Sequence, residues 1–383
     1  MSEWKEYKLG DLISTNQKSI DKHYPYSSIL YLDTGSITAN KITELQEIEL
    51  TKAPSRARRL VCEEDIIYST VRPNQLHYGF VKNPQNNLVV STGFVTITCV
   101  KDKLYPKFLF YNLSQGQTTE YLHSIAEAST SAYPSLRPED IETLEISLPP
   151  LPEQRAIASI LTSLDDKIDL LRRQNVTLEK MAETLFRQWF VEDAKEEWET
   201  GKLGDEFDFT MGASPPGESY NEEGGGIPMY QGNADFGFRF PENRVFTTDP
   251  KRFAEKYDTL ISVRAPVGAQ NMANEKCCIG RGVAAFRYKH NHSYYSYVYY
   301  KTKYLLDDIK QFNETGTVFG SISKSDLEAI EITIPDFEAI KSFQEKVRPI
   351  DEKIETNQSQ IHTLTQLRDT LLPKLMSGEE RVQ

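Results

Sequence analysis

Residue types that catalyse reactions are present in this sequence, but their spacing does not match a catalytic site. Asp336, Glu338 and Lys341 are the types with which nucleases bind metal ions and activate water. On a strand, Glu338 and Lys341 would point to opposite faces, because side chains alternate along it. The apolar pattern that follows predicts instead that a helix begins here, with the acids near its positive N-terminal end.

Other catalytic motifs are missing from the sequence. It contains no G-x-x-x-x-G-K-[ST] loop for ATP and no glycine-rich S-adenosylmethionine loop after a strand. Ser214–Gly217 lacks the Asn or Asp and the aromatic residue of the amino-methyltransferase motif. The cysteines form no C-x-x-C pair and have no histidine at ligand spacing, so we expect reduced thiols and no metal: Cys62, Cys99, Cys277 and Cys278. The sequence predicts a non-catalytic chain with no cofactor of its own.

The basic residues are more informative, because they are concentrated in two segments. The net charge is −12, with 44 Lys and Arg against 56 Asp and Glu, which at first argues against a nucleic-acid ligand. However, residues 51–82 and 239–310 are rich in Lys and Arg, and the acids are concentrated elsewhere. Local fields matter more than the total charge, so the distribution permits binding to DNA.

These segments belong to a sequence that is repeated once. Residues 135–190 align with residues 321–376 without a gap, and Ser135 meets Ser321, an offset of 186. The start of the chain is repeated too, because Lys8–Asp11 returns as Lys202–Asp205, an offset of 194. This period is far longer than that of solenoid repeats. The sequence therefore predicts a duplicated module with two similar working ends.

Each copy ends in an apolar heptad pattern that predicts a long helix. At 1.5 Å per residue, a helix of about 36 residues spans roughly 50–55 Å. Asn175 and Asn357 interrupt the pattern, and they are either solvated or buried as a pair that fixes helix register. The predicted seam consists of Ile157, Leu161, Leu164, Ile168, Leu171, Asn175, Leu178 and Leu185 in the first helix, and of Phe343, Val347, Ile350, Ile354, Asn357, Ile361, Leu364 and Leu371 in the second.

The rest of each copy predicts a small, β-rich α/β domain, so the fold class is α+β. Two aromatic-rich runs, Tyr105–Tyr111 and Tyr294–Tyr300, favour helices packed on a sheet over stacking on bases. The predicted domain ranges are 1–150, 151–192, 193–335 and 336–383. Short β-branched runs predict strands at Ser28–Leu32, Asp65–Val71, Leu88–Val100, Asp258–Val263 and Ile279–Tyr288.

Cellular location can be predicted only from the absence of targeting signals. No apolar run approaches the roughly 18 residues of a membrane span. The first residues lack the charged-then-apolar pattern of a signal peptide. We therefore expect a cytoplasmic protein without a membrane partner.

Several motifs, in this order, resemble those of the specificity subunits of type I restriction–modification systems. The resemblance covers essentially the whole chain and is carried by Asp65–Asn74, Ser91–Phe94, Leu148–Ala158, Leu164–Ile168, Asp258–Gly268 and Ile279–Gly282.

This resemblance implies two target-recognition domains, each of which reads one half of a bipartite DNA site. They would be separated by two long antiparallel helices that form a coiled coil within a pseudo-two-fold repeat. The helices would dock two methyltransferase subunits, which methylate adenine with S-adenosylmethionine. Restriction subunits with nuclease and translocase activity, which use ATP and Mg, would join that complex. The chain itself would direct the complex to its site and carry out no chemistry.

Arginine and amide side chains on predicted loops are the candidates for DNA contact, because they form paired hydrogen bonds with base edges. Base contacts are predicted for Arg72, Asn74, Gln75 and His77 in the first domain, and for Arg264, Gln270, Asn271 and Arg281 in the second. Phosphate contacts are predicted for Arg56, Arg58, Arg59, Arg239, Lys289 and Lys324. Asp65 and Asp258 are expected to cap turns.

Two other functions remain open at this point. A coiled-coil scaffold could pair two partner proteins without contacting DNA, and the charge of −12 slightly favours it. A self-contained methyltransferase is disfavoured by the missing cofactor loop. Salt-sensitive DNA binding separates the first alternative from a DNA reader, because phosphate contacts release counterions.

Overall fold

The computed structural model describes residues 4–128, 134–315 and 321–382. The chain divides into two compact units. Unit 1 consists of Met1–Asp169 and His362–Gln383, and unit 2 consists of Leu170–Ile361. Each unit contains strands and helices, and parts of two long helices contribute to both. The predicted α+β class is confirmed.

Unit 1 contains two four-stranded sheets, ordered β2-β11-β8-β9 and β6-β3-β10-β7, and the small pairs β1-β12 and β4-β5. Pairing is antiparallel except between β10 and β3. The strands are β1 (Lys5–Lys8), β2 (Ile13–Thr15), β3 (Ser28–Leu32), β4 (Ile37–Thr38), β5 (Lys41–Ile42), β6 (Gln46–Glu49), β7 (Ala57–Leu60), β8 (Ile66–Ser69), β9 (Tyr78–Phe80), β10 (Leu88–Ser91), β11 (Phe94–Cys99) and β12 (Glu145–Leu148). The helices are α1 (Pro106–Leu113), α2 (Gly116–Glu127), α3 (Pro138–Glu142) and the first part of α4 (Leu151–Arg187).

Unit 2 repeats this plan, with sheets ordered β14-β22-β19-β20 and β15-β17-β16-β21-β18 and the pair β13-β23. Its strands are β13 (Glu199–Lys202), β14 (Phe207–Met211), β15 (Tyr220–Asn221), β16 (Ile227–Tyr230), β17 (Phe246–Thr247), β18 (Phe253–Ala254), β19 (Thr259–Ser262), β20 (Gln270–Met272), β21 (Cys277–Ile279), β22 (Val283–Tyr288) and β23 (Glu331–Ile334). Its helices are α5 (Leu203–Glu206), α6 (Tyr295–Tyr304), α7 (Leu306–Thr315), α8 (Lys324–Ala329) and most of α9 (Phe337–Ser377).

The predicted strand runs fall on strands, but two of them are interrupted. Leu88–Val100 forms β10 and β11, and Ile279–Tyr288 contains the end of β21 and all of β22. The interruption in the second run needs glycine, because a Cβ on Gly282 would lie 2.2 Å from the carbonyl oxygen of Gln231. Both breaks are short, and apolar residues lie on either side of each, so the prediction joined two strands into one run although glycines mark both turns.

The two aromatic-rich runs form core helices, as predicted. In α1, Phe108 and Leu109 have no exposed surface, and in α6, Tyr297 has none. The Phe207 ring lies 6.2 Å from that of Tyr297 at a steep angle, which is a favourable edge contact. These aromatic side chains hold a helix against a sheet and are not available to stack on bases.

The two long helices run antiparallel within each unit. In unit 2, the Nδ2 of Asn357 donates to the Oδ1 of Asn175 over 2.8 Å, and the rings of Phe186 and Phe343 are 5.7 Å apart. Both asparagines are buried, at 1% exposure or less, so they form the register-fixing pair rather than a solvated one. All the predicted seam residues are buried or half-buried.

The helix ends have local causes. Helix α4 is followed by a π-helical turn, Gln188–Glu192. Helix α9 ends before Gly378, whose φ of +75° is a left-handed conformation that glycine adopts without strain. At its start, the Oδ1 of Asp336 accepts from the Ala339 amide over 2.8 Å, so the predicted helix start is confirmed.

Candidate nucleic-acid interface

The first reading loop, Arg72–His77, connects β8 to β9 in unit 1. Its base is fixed by two hydrogen bonds: the Thr70 amide donates to the Gly93 carbonyl over 2.8 Å, and the Ser69 hydroxyl donates to the Val71 carbonyl over 3.0 Å. Within the loop, Pro73–Gln75 forms a short 3-10 turn. Arg72 and Leu76 flank this turn with φ values of 49° and 58°, which are unusual for residues other than glycine.

This conformation exposes three of the four side chains that were predicted to contact bases. Arg72, Asn74 and Gln75 are exposed, whereas His77 is half-buried. The Nδ1 of His77 lies 2.5 Å from the carbonyl oxygen of Ile37, so this ring fixes the loop to its neighbour. The loop can therefore present one guanidinium and two amides to a ligand, and His77 holds it in place.

The neighbour is a hairpin that sequence reasoning missed. This first hairpin, Ile37–Ile42, donates through the Ala39 amide to the Leu76 carbonyl over 2.7 Å. Its turn residues, Ala39 and Asn40, have φ values of 45° and 65°, as a two-residue hairpin turn requires. The signal was the pair Ala39-Asn40 between two isoleucines, although alanine is an uncommon residue in such a turn.

The basic residues of the first domain lie beside this loop. The Thr92 amide donates to the Arg56 carbonyl over 2.8 Å, and Thr92 precedes the glycine that anchors the loop. Arg56 and Arg58 are exposed, as phosphate contacts must be. Arg59 is half-buried, and burial lowers the pKa of its guanidinium. Arg56 therefore lies at the base of the first reading loop, and Arg59 is partly buried in the domain.

The second reading loop, Val263–Ala269, connects β19 to β20 in unit 2 and is anchored in the same way. The Val263 amide donates to the Gly282 carbonyl over 2.9 Å, and the Ser262 hydroxyl donates to the Pro266 carbonyl over 2.8 Å. Arg264 on this loop is exposed. Arg281, which follows β21, is exposed too, and its Nε donates to the Ser214 hydroxyl over 3.1 Å. Equivalent bonds therefore anchor two loops of different sequence.

Three residues predicted to contact DNA in the second domain lie inside it instead. Arg239 is 1% exposed and Asn271 is fully buried, with its Nδ2 donating to the Gly237 carbonyl over 2.9 Å. Gln270 is half-buried, and its Nε2 donates to the Tyr299 carbonyl over 2.7 Å. Each of these three side chains donates to an acceptor inside the protein, so residue type alone misplaced Arg239, Gln270 and Asn271.

The two lysines proposed as phosphate contacts are exposed but engaged with the protein. The Nζ of Lys289 donates to the Gly204 carbonyl, and Lys324 pairs with Glu328 at 3.4 Å. Glu328 packs against Gly204, so both lysines lie around the contact between α5 and α8. They contribute positive charge to this surface and do not extend freely from it.

The two strand-capping aspartates occupy equivalent positions but differ in charge environment. Asp65 accepts from the Cys62 amide over 2.7 Å, and Asp258 accepts from the Glu255 amide over 2.8 Å, as expected for turn caps. Burial raises the pKa of Asp65. Burial also acts to raise the pKa of Asp258, but hydrogen bonds from His292 and Arg287 lower it overall.

The arrangement offers hydrogen-bond donors on anchored loops rather than a reaction centre. Across residues 4–128, 134–315 and 321–382, no group of three or more His, Cys, Asp or Glu side chains is placed to hold a metal ion. In the same part of the chain, no helix is long and apolar enough to cross a bilayer. The exposed guanidinium and amide groups of the two loops can donate hydrogen bonds to a ligand.

Comparison with known proteins identifies the kind of recognition. A family model described as the type I restriction modification DNA specificity domain matches residues 1–180 and again residues 195–366. The chain belongs to this family. The two matches confirm the internal repeat, and membership makes the chain a DNA-specificity subunit of a restriction–modification system rather than an enzyme.

Individual relatives agree over nearly their full length. The chain is similar to the putative type I restriction enzyme MjaX specificity subunit of Methanocaldococcus jannaschii, with 30% identity over 100% of this chain and 94% of that one. It is also similar to the HindI specificity subunit of Haemophilus influenzae, with 27% identity over 99% and 100%. The crystal structure of a type I S subunit from M. genitalium shares the fold, with a TM-score of 0.63, 21% identity and coverage of 97% and 96%.

Proposed function

We propose that the chain directs a type I restriction–modification complex to a bipartite DNA site, and that each unit reads one half of it. The observation that carries this proposal is the pair of reading loops. Thr70 and Ser69 anchor one loop, and Val263 and Ser262 anchor the other at equivalent positions. The anchoring is repeated while the exposed side chains differ, as two readers of different sequences require.

Base contacts are assigned to the exposed members of the predicted set. These are Arg72, Asn74 and Gln75 on the first reading loop, and Arg264 on the second with Arg281 beside it. Arg56 and Arg58 are assigned to phosphates, which position a protein on the duplex without specifying a sequence. In this proposal His77, Gln270, Asn271 and Arg239 support these contacts from inside the domains.

The long helices are proposed to dock two methyltransferase subunits, which would supply adenine methylation with S-adenosylmethionine. Restriction subunits using ATP and Mg would join the same complex. Large apolar side chains on the helices are exposed, including Leu170, Val176 and Met181 on α4, which are 41%, 43% and 51% exposed. Exposed apolar groups on a helix are suited to burial against a partner.

The decisive experiment maps methylated adenines in DNA from cells that carry the chain with its methyltransferase. Under this proposal, one split motif is methylated only when the chain is present. The double variant Asn74→Ala/Gln75→Ala should relax one half of the motif, at about 1–3 kcal/mol of discrimination. Arg264→Ala/Arg281→Ala should relax the other half.

Matched controls come from the opposite ends of the same strands. Gln85 and Asn86 are exposed and follow β9, whereas the first reading loop precedes it, so Gln85→Ala/Asn86→Ala should leave the motif unchanged. Lys276 precedes β21, whereas Arg281 follows it, so Lys276→Ala is the control for the variants of the second reading loop. Equal effects of control and loop variants would contradict the assignment of the loops.

A scaffold without DNA readout is the second candidate, favoured by the net charge of −12. It requires that no methylated motif depends on the chain while the chain still co-purifies with the methyltransferase. It also predicts no salt dependence in DNA binding, whereas a reader should lose affinity steeply as counterions compete for phosphates.

A further inference from the structure

Arg239 is a deeply buried charged residue of the second domain, at 1% exposure, and its partners lie on three separate helices. Its Nη1 donates to the Oδ1 of Asp351 on α9 over 2.9 Å, and its Nη2 donates to the hydroxyl of Tyr300 on α6 over 2.6 Å. Glu179 on α4 lies 3.5 Å from Nη2. The guanidinium also lies 3.9 Å from the centre of the Tyr299 ring. We call this group the Arg239 clamp.

The charge of the clamp is maintained by its surroundings. Burial by itself lowers the pKa of Arg239, but Tyr299 and the acids Asp351 and Glu179 raise it well above its usual value. Glu179 is also paired with Lys303. A cation held among two carboxylates, a hydroxyl and an aromatic face has strong directional constraints, because the planar guanidinium offers donors in a fixed fork.

The backbone of Arg239 belongs to a hairpin beside the second reading loop. This second hairpin, Phe236–Pro241, is closed by a bridge between its end residues. The Arg239 carbonyl accepts from the Met272 amide over 2.9 Å, and β20, which contains Met272, begins directly after the second reading loop. Gly237 is needed in the turn, because a Cβ there would lie 2.5 Å from the Phe240 carbonyl oxygen.

The same region of unit 1 lacks this clamp within the described contacts. The first hairpin, Ile37–Ile42, is bonded to the first reading loop through Ala39 and His77. Asp165 on α4 corresponds to Asp351 by the 186-residue offset. Its Oδ1 accepts a hydrogen bond from the guanidinium of Arg368, which lies on α9. In unit 2, Asp351 therefore binds a hairpin of the recognition domain to α9. In unit 1, Asp165 binds α4 to α9.

We propose that Arg239 is a positioning residue that fixes the second hairpin and β20 to the long helices and thereby sets which spacer length between the two half-sites the complex accepts. This inference rests on the proposed function. The clamp joins the second hairpin to α4 and α9, and other parts of these two helices belong to unit 1. A spacer change of one base pair moves a half-site by about 3.4 Å, more than a rigid clamp of hydrogen bonds tolerates.

The test uses Arg239→Lys in the full chain assembled with its methyltransferase. Lysine keeps a cation between the carboxylates, but it cannot donate to Asp351 and Tyr300 with the geometry of the fork. The control is Arg368→Lys, the same change opposite the equivalent acid of unit 1. Hydrogen exchange measured by mass spectrometry reports the clamp directly: residues 233–243 and 270–273 should exchange faster in Arg239→Lys and remain unchanged in Arg368→Lys.

Methylation rates on duplexes with the natural spacer and with one base pair more or fewer provide the functional measurement. The wild-type complex should reject altered spacers by about 100-fold, and Arg239→Lys should reduce that rejection to roughly tenfold while both half-site sequences stay unchanged. A merely structural role would lower methylation on all spacers equally.

The outcomes are distinguishable. Faster exchange together with a broadened spacer profile supports the proposal. Unchanged exchange overturns it whatever the methylation result, and so does faster exchange with an unchanged spacer profile. If wild-type methylation does not depend on the chain at all, the proposed function fails, and the spacer role of Arg239 fails with it.

Discussion

Tyr111 and Asp165 in unit 1 match Tyr300 and Asp351 in unit 2, and each tyrosine donates to its aspartate, over 2.8 Å and 3.2 Å. The arginine that completes each pair comes from a different place. In unit 1 it lies on α9, and its side chain is 29% exposed. In unit 2 it lies on a hairpin of the recognition domain, and its side chain is 1% exposed.

This difference shows that a duplicated fold can keep an aspartate at equivalent positions while its arginine partner comes from a different element in each copy. Duplication preserves residues whose neighbours are also duplicated, such as the helices. The hairpins belong to the segments that differ between the two copies. The arginine can therefore come from a hairpin in one unit and from a long helix in the other. The same acid then stabilises a helix pair in one unit and a recognition domain in the other.

The largest expected effect comes from removing the two arginines. Arg239→Met leaves Asp351 buried without its cation, while Glu179 keeps Lys303, and should destabilise unit 2 by about 3–5 kcal/mol. Arg368→Met breaks a partly exposed pair and should cost about 1 kcal/mol or less in unit 1. The denaturant dependence of hydrogen exchange, resolved by unit, measures both. Equal losses would show that the two arginines are energetically alike.

The capping aspartates come next. Asp258→Asn removes the charge that pairs with Arg287 and His292 and should cost about 1–3 kcal/mol, whereas Asp65→Asn should cost less than about 1 kcal/mol. The reason is that Asp65 has a hydroxyl partner, Thr98, at 2.7 Å, and burial already disfavours its charge. A larger loss for Asp65→Asn would reverse this comparison.

The same aspartates should differ in pH dependence. The folded-state pKa of Asp258 is lowered, so its contribution is complete above the unfolded value near 3.9 and is lost as the pH falls through the folded value. The folded-state pKa of Asp65 is raised, so its contribution grows as the pH falls. The stability gap between wild type and Asp258→Asn should therefore narrow below about pH 4, and that for Asp65→Asn should not.

The part of the helix seam in unit 2 differs from the part in unit 1 by a buried asparagine pair. The seam residues of unit 1 are apolar, whereas unit 2 contains Asn175 and Asn357. Asn357→Leu alone leaves the Asn175 amide without its partner and should cost about 1–3 kcal/mol, while the double leucine variant should be near neutral. A double-mutant cycle on unfolding free energy measures this coupling. Additive costs would mean that the bond contributes nothing specific.

A small effect is also expected at the start of α9. Asp336→Ala removes the helix cap and the contacts with Lys195 and Trp198, which hold the pKa of this carboxyl at about 2. The site is exposed, so we expect a loss of about 1 kcal/mol, and less for Asp336→Asn because asparagine also caps helices. Thermal unfolding monitored in unit 2 checks both variants. The asparagine variant losing as much as the alanine variant would assign the effect to charge rather than capping.

Much of the fold could be predicted because its signals are local and repeated. The heptad pattern located α4 and α9, and β-branched runs located β3, β8 and β19. The breaks at Gly93 and Gly282 were missed, because both turns are short and apolar residues lie on either side of each. The hairpin at Ile37–Ile42 was missed because its strands have only two residues each.

The candidate site could be predicted only in part. Arg72, Asn74, Gln75, Arg264 and Arg281 lie on the surface, as a DNA contact requires. Arg239 and Asn271 share the same residue types and local sequence character, yet they are buried. Their partners, Asp351 and the Gly237 carbonyl, are distant in sequence, so no local pattern could assign them to the interior.

The sequence by itself determined the duplication, the two long helices and the class of protein, because these are written in spacing and repeat. Only the tertiary structure decided which polar side chains face outward and which acid each arginine meets. Burial and ion pairing depend on residues brought together from remote parts of the chain. A side chain's type fixes the bonds it can form, and its surroundings in the fold decide which of them it makes.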